Sequence, residues 1–287
     1  MFIRPFRFER AERLADACEL LRQHGEDAKI IAGGQSLMPM INLGLVQPDV
    51  VIDISRAVGE RDLTSADGYL RAGALVTHAR LAADPLVRQA QPLLSTAASR
   101  IGNARVRSRG TLGGSLAHSD PAAELPVVMM ALGASYELTD GRGTREVRAE
   151  DFHVTFLTTA LEPDEVVLSV RLPVLGPGWG WSFLEVSRRH GDFAIASVAA
   201  LVRLAGGVVV ESRVAAGGVS GRAVRLADVE TGLTGAAPDQ IGERVGELQG
   251  IQPLSDAAAS DTYRAHLARV LVTRALTEAS QRSAVAA

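Results

Sequence analysis

Cysteine is nearly absent: Cys18 is the only one in 287 residues. One thiol excludes an internal disulfide and cannot supply the four thiolates of an iron–sulfur cluster, so any cluster working with this chain sits on another polypeptide. Long apolar runs are missing too. No stretch approaches the roughly twenty apolar residues of a membrane span, and Met1-Phe2-Ile3-Arg4-Pro5 opens without the apolar segment of a secretion signal. The expectation is a cytoplasmic protein with no membrane span. Lysine is almost missing, Lys29 being the only one among 30 basic residues. The arginines that replace it are offset by 33 acidic residues, leave a net charge of −3 and form no basic block, so nucleic acid is not an expected partner. Aromatic residues are sparse at 4%, yet 47% apolar and 22% charged residues are ordinary for a globular chain and argue against long disorder. The length suits two or three compact units.

What stands out against these absences is a pair of glycine turns. Ala32-Gly33-Gly34-Gln35-Ser36 and Gly110-Thr111-Leu112-Gly113-Gly114-Ser115 each leave an apolar strand-like run and lead toward a helix. Glycine lets the main chain approach a phosphate with no Cβ in the way, and amides at a turn or helix start are donors with a favourable dipole. Two such turns separated by a folded segment point to a bulky diphosphate cofactor gripped from both sides, FAD foremost. Neither turn matches the Gly-x-Gly-x-x-Gly fingerprint, and no acidic residue stands in a ribose-binding position. A doubly wound dinucleotide domain is therefore disfavoured.

The polar residues around the turns carry two readings each. Gln35 and Ser36 can donate to phosphate or ribityl oxygens, and Thr111 and Ser115 place hydroxyls on either side of two glycines. Arg105, Arg107 and Arg109 are either a solvated face or positive charge for the cofactor. Asp120, before Pro121, either caps a helix or accepts bonds from ribityl hydroxyls; repulsion keeps it off the diphosphate. Glu124 suits a helix first turn, where the dipole favours it. His118 and His190 lie at no metal-ligand spacing, and no metal site is expected. Ser36, Ser115 and Ser119 have no nucleophile elbow or paired base. No catalytic side chain is expected.

Periodicity orders the rest of the chain. Phe6 and Phe8 lead into a helix over Ala11 to His24 with Leu14, Ala17, Cys18 and Leu21 on one face, ended by Gly25. Strands follow at Ala28 to Ala32 and Val50 to Ile54, flanking a helix capped by Ser36 and closed by Pro48. Tyr69 to Ala72 reads as a strand, Thr77 as the cap of a short helix, and Leu86 to about Ile101 as one longer helix that delivers the chain to the second turn. Pro121 opens an apolar helix to Leu132, and Tyr136 to Thr139 with Arg145 to Val147 form a hairpin. After the strand Glu165 to Leu172 comes a linker, Pro173 to Gly178. Trp181 to Ser187, Ala194 to Leu204 and Val208 to Ala216 form a three-stranded antiparallel sheet, and the tail from about Ala223 is helical. Trp179, Trp181 and Phe183 read as core or a contact patch, core first.

Four motifs in this order, Ala32-Gly33-Gly34-Gln35-Ser36-Leu37, Thr111-Leu112-Gly113-Gly114-Ser115, Ser119-Asp120-Pro121 and Arg188-Arg189-His190-Gly191-Asp192-Phe193, resemble the medium FAD-binding subunit of molybdenum hydroxylases. The resemblance covers essentially the whole chain. It implies an α+β fold: a two-subdomain FAD-binding domain of the vanillyl-alcohol-oxidase (PCMH) type over residues 1–176, split near 60, then a C-terminal domain over 177–287. It also implies partners, a large subunit with the molybdenum cofactor that oxidises substrate and a small subunit with two 2Fe–2S clusters, in a dimer of heterotrimers. By the same resemblance Ala32, Gly33, Gly34, Gln35, Ser36 and Leu37 would bind the diphosphate and flank the flavin, with Gly110, Thr111, Gly113, Gly114 and Ser115 on the other side. Asp120 would meet ribityl or ribose hydroxyls. Ile101, Gly102 and Val106 would lie along the adenine and flavin path, and Arg189, Asp192 and Phe193 would approach the isoalloxazine.

The family often has tyrosine where Phe193 stands and lysine near Arg188. Gln35, where the carbon monoxide dehydrogenase branch tends to have histidine, and Ser115-Leu116-Ala117-His118 look more like subunits serving N-heterocyclic or other organic substrates. The implied role is to take electrons from the iron–sulfur partner onto FAD and pass them to an external acceptor. Two rivals remain: a self-sufficient FAD-dependent oxidase or reductase, which needs an acid or base beside the flavin that this sequence does not display, and a scaffold that has lost its flavin.

Overall fold

The computed structural model describes residues 4–57, 60–189 and 191–286. Its first unit grows from the Leu14–His24 helix, whose buried Leu14, Ala17, Cys18 and Leu21 repeat at helical spacing. Gly25, at φ +57°, ends it where a side chain would be strained. This stripe packs beside a three-stranded parallel sheet with Val50–Asp53 in the middle, flanked by Arg7–Arg10 and Ala28–Ile31. Phe8 thus belongs to a strand rather than to a helix lead-in. The helix after the first glycine turn, Leu37–Asn42, also stops well before Pro48.

Five antiparallel strands make the second sheet, in the order Leu63–Ala66, Tyr69–Gly73, Val166–Pro173, Ser135–Thr139, Thr144–Arg148. Side chains alternate across it: Leu70, Ala72, Tyr136, Leu138, Val170 and Leu172 enter one core with the helices, while Arg71 and Glu137 pair on the opposite side at 3.0 Å. The predicted helix from Leu86 to Ile101 is two helices, Pro85–Ala90 and Pro92–Arg100. Pro92 has no N–H to continue the ladder, so it starts a new helix at its own first position. A further helix, Ala104–Arg109, delivers the chain to the second glycine turn, which therefore leaves a helix and not a strand.

Cys18 joins the first two units. Its buried thiol donates to the Thr139 carbonyl at 3.4 Å, and burial pushes its pKa up to about 11, so it is an inert packing group.

The last sheet has the three long antiparallel strands expected, Trp179–Ser187, Ala194–Ala205 and Val208–Gly217, with a two-residue strand, Val224–Arg225, added at its edge. Residues 194–202 are buried without interruption. Such a run marks a strand covered on both faces: Ala199 and Leu201 enter the core of the second sheet, whereas Val198, Ala200 and Val202 pack with the long helix Asp261–Ala286. The strand Val208–Gly217 leans on the Glu124–Leu132 helix, where Gly217 lies so close to Val127 that a Cβ has no room. All nine residues of that helix are buried, the apolar run after Glu124 as its sequence requires and Glu124 itself as a buried carboxyl in the first turn. The tail beyond is only partly helical: Ala227–Leu233 and Ile241–Arg244 are short pieces, and an irregular segment precedes Asp261.

Candidate functional site

The first glycine turn follows the strand Ala28–Ile31, and Gly34 takes a left-handed φ of +72°. Among the described residues, no group accepts a hydrogen bond from the amides of Gly33, Gly34, Gln35, Ser36 or Leu37. Consecutive free N–H groups around a left-handed residue make an anion-accepting concavity. Gln35 turns its side-chain amide back onto the Gly33 carbonyl at 3.2 Å. Ser36 stands at the N-cap of Leu37–Asn42 but makes no capping bond through its hydroxyl.

The second turn is built differently. Four of its amides are taken up within the protein: Gly110 donates to Val106 O at 2.7 Å, Leu112 to Val76 O at 2.9 Å, Gly113 to Ala74 O at 2.8 Å and Gly114 to Thr111 Oγ1 at 3.2 Å. Thr111 is thus the N-cap of the Leu112–His118 helix. The turn therefore supplies shape rather than a row of amide donors. Gly113 presses on Ala74, where a Cβ would sit 2.6 Å from that alanine's own.

His78 holds this turn, and sequence reading missed it. Its main-chain N–H donates to Gly110 O and its Nε2 to Thr111 O, both at 2.9 Å, while the ring covers Gly110 so closely that a Cβ there would lie 2.8 Å away. Burial pushes its pKa down to about 4, so the ring is neutral near pH 7 and its Nδ1 has no partner among the described residues. A lone histidine one residue after a capping threonine carries no pattern that could have announced this role.

The two turns meet. Gly33 abuts the Arg109 carbonyl and the Gly110 Cα, and a Cβ on Gly114 would face that of Ala32 at 3.9 Å. Gly102, at φ +45°, lies under the Val106 side chain, and Gly191 approaches the Gly102 carbonyl so that a Cβ would be 3.0 Å from it. The fold thus joins Ile101, Gly102 and Val106 both to the second turn and to the Arg189–Phe193 segment, where Asp192 N closes on Arg189 O at 3.1 Å. His190 lies outside the described residues. Phe193 is 65% exposed. Asp120 stands apart from these contacts; its Oδ1 accepts from Ala122 N at 2.8 Å, which is the turn-capping role.

Ser119, expected to lack a paired base, has one beside it. Its Oγ lies 2.9 Å from His153 Nδ1, and Tyr136 Oη lies 3.0 Å from Nε2 of the same ring. The trio is sealed, at 3%, 1% and 0% exposure, and burial pushes the His153 pKa down to about 4 and that of Tyr136 well up. No substrate reaches it. Ser119 is also the left-handed residue, φ +52°, that ends the Leu112–His118 helix. His78 therefore fixes the start of this helix and His153 its end. Nearby, burial pushes Glu124 up to about 7 and lowers His118.

A free-amide turn packed on a second glycine turn, with little side-chain bulk at the contact, fits a dinucleotide diphosphate. No helix among the described residues is long and apolar enough to cross a membrane. The sequence profile described as "FAD binding domain in molybdopterin dehydrogenase" matches residues 4–175, and that described as "CO dehydrogenase flavoprotein C-terminal domain" matches 181–279. The nicotine 6-hydroxylase medium subunit of Paenarthrobacter nicotinovorans is 37% identical over 99% of this chain and all of its own length. Among solved structures, carbon monoxide dehydrogenase from Hydrogenophaga pseudoflava superposes with a TM-score of 0.94 at 33% identity, covering 98% of this chain and 99% of that one. Quinoline 2-oxidoreductase from Pseudomonas putida 86 does so at 0.91 and 34%, covering 99% of both. Fold and turns together define a flavoprotein component of an oxidoreductase. The chain belongs to the medium FAD-binding subunits of the molybdenum hydroxylases.

Proposed function

We propose that this chain is the electron-transfer subunit of a molybdenum hydroxylase, standing between a 2Fe–2S subunit and an external acceptor such as oxygen, a quinone, a cytochrome or NAD. FAD, when bound, supplies the redox chemistry, taking up electrons and handing them on. The chain's own residues hold and shape that site. The free amides of Gly33 to Leu37, the observation that carries this reading, donate to the diphosphate oxygens, and the Ser36 hydroxyl adds a further donor. Gly110 to Ser115 close the opposite side, held by His78. Ile101, Gly102 and Val106 line the path beyond, Asp120 faces ribityl or ribose hydroxyls, and Arg189, Asp192 and Phe193 border the isoalloxazine end. No side chain serves as a general acid or base.

In this reading substrate is oxidised on a separate molybdenum subunit, and the assembly is a cytoplasmic dimer of heterotrimers. An N-heterocycle or another small organic compound is the proposed substrate. Two relatives support it by name, nicotine 6-hydroxylase and quinoline 2-oxidoreductase. The reading also divides the chain near Gly176 into flavin and C-terminal domains. Reconstitution of the purified chain with FAD is the test. A bound-flavin spectrum with no oxidation of organic substrate is expected, and turnover by the lone chain would overturn the reading.

A further inference from the structure

The strands Trp179–Ser187 and Ala194–Ala205 pair antiparallel as far as Ser187 and Ala194, so the turn carrying Arg189, Asp192 and Phe193 is the connection between them. Arg264, at the start of the Asp261–Ala286 helix, sits behind one root of that turn and is 5% exposed. Its Nη1 donates to Ile195 O at 2.6 Å and to Gly218 O at 2.5 Å, and its Nη2 donates to the Asp256 carboxylate at 2.7 Å. Its Nε finds no acceptor among the described residues. Gly218 takes φ +74°, with the Ile195 carbonyl 2.7 Å from where a Cβ would be, and its own N–H donates to Pro121 O at 2.7 Å. One guanidinium thus gathers the start of one strand, the residue just past the end of another and, through Gly218, the residue after Asp120. The segment before the helix is drawn into the same knot. Gln252 N donates to Ser220 Oγ at 2.8 Å, Leu254 N donates to Val219 O at 3.1 Å, and the Ala257 carbonyl accepts from Arg188 at 2.5 Å. Residues 252–257 therefore form a strap from the Gly218 bend to the turn itself.

We propose that Arg264 is a positioning residue for the flavin: by fixing both the root and the strap of the Arg189–Phe193 turn, it holds that turn against the isoalloxazine end of the site. The inference rests on the function proposed above. Desolvating a guanidinium is costly, and a well-packed apolar residue in place of a buried ion pair is often neutral or stabilising. Stability alone is thus a poor reason for a cation here. What an apolar residue lacks is a rigid fork of donors that sets the separation of carbonyls from different strands. Asp256 offsets the charge from the exposed side, and the bond from Arg264 holds its carboxyl below the ordinary range. The printed bonds of Arg264 reach neither glycine turn. Its loss should therefore alter how the ring is held and not whether FAD binds.

Arg264→Lys in the FAD-loaded chain tests this, because an ammonium keeps the charge but not the fork. Ser283→Ala is the control: its Oγ donates to Gly178 O at 2.6 Å and accepts from Leu204 N at 2.9 Å, at the far end of the same sheet. Both variants are expected to melt below the native chain and to keep its FAD content. Only Arg264→Lys should change the flavin itself, with iodide quenching of its fluorescence about twofold steeper, because a site loosens when its supporting contacts go, and with altered fine structure in its visible absorption band. Asp256→Ala, at a half-exposed carboxylate, frees the strap while the buried carbonyl bonds stay, so it should give a smaller rise, and it carries the test where the lysine variant does not fold. Native quenching in Arg264→Lys, or in Asp256→Ala standing in for it, would overturn the role. So would an equal rise in Ser283→Ala, or loss of FAD from a folded Arg264→Lys. A native chain that takes up no FAD would instead overturn the proposed function itself.

Discussion

Gly33 shows how little a residue must change to disturb the site. A Cβ there runs into the Arg109 main chain, which cannot move aside as a side-chain tip would. Gly33→Ala is therefore expected to cost about 1–3 kcal/mol of stability by overpacking and to lower the flavin-to-protein absorbance ratio, read with thermal melts of the same samples. Three deeply buried groups carry large shifts that enter the pH response. His78 and His153 fall from 6.5 to about 4, so the folded state binds fewer protons, and their stabilising contribution is full above pH 6.5 and lost as pH falls toward 4. Each shift corresponds to about 3 kcal/mol. Glu124 has the opposite sign: raised from 4.5 to about 7, it contributes fully below pH 4.5 and loses its contribution as pH rises to 7. Native stability should accordingly drop on acidification, with two histidines outweighing one carboxyl. Glu124→Gln should gain over the native chain from pH 4.5 upward and level off above 7. Urea midpoints across pH 4–8 check both, and parallel curves for the two proteins would refute the assignment.

At the scale of elements, the Leu112–His118 helix depends on what grips its ends. Ser119→Ala keeps the left-handed backbone but strips the partner from His153, and about 1–3 kcal/mol should be lost in a urea melt because a buried ring nitrogen is left unsatisfied. Ser119→Gly loses the same bond but relaxes the φ of +52°, so it should cost less. The glycine turns were legible in the sequence because close main-chain approach and backbone freedom demand glycine itself. The strand Ala194–Ala205 was legible because burial on two faces writes an unbroken apolar run. Other features left no local trace. The break at Gln91-Pro92 was hidden by apolar periodicity on both sides, and the Ala104–Arg109 helix by its four polar residues. The pairing of Ser119 with His153 spans 34 positions, and only the fold closes that distance. The unequal build of the two turns was equally invisible, since composition does not say which amides the neighbouring strands take up.

Across the whole molecule, the units share walls rather than linkers. Phe183, Ala199, Leu201 and Ala215 of the last sheet are part of the core that holds the helices bearing the second turn. A fragment ending at residue 176 would uncover that side of the Glu124–Leu132 helix, and it should elute as aggregate on size exclusion while the full chain elutes cleanly. A monodisperse, FAD-loaded fragment would show the shared wall to be dispensable.

The burial of that nine-residue helix also fixes an order of events during synthesis. Its covering strand, Val208–Gly217, is translated some eighty residues later, which at about 5–20 residues per second leaves the nascent chain exposing a greasy rod for about 4 to 16 seconds. Chaperone cover in that interval is what such a topology calls for.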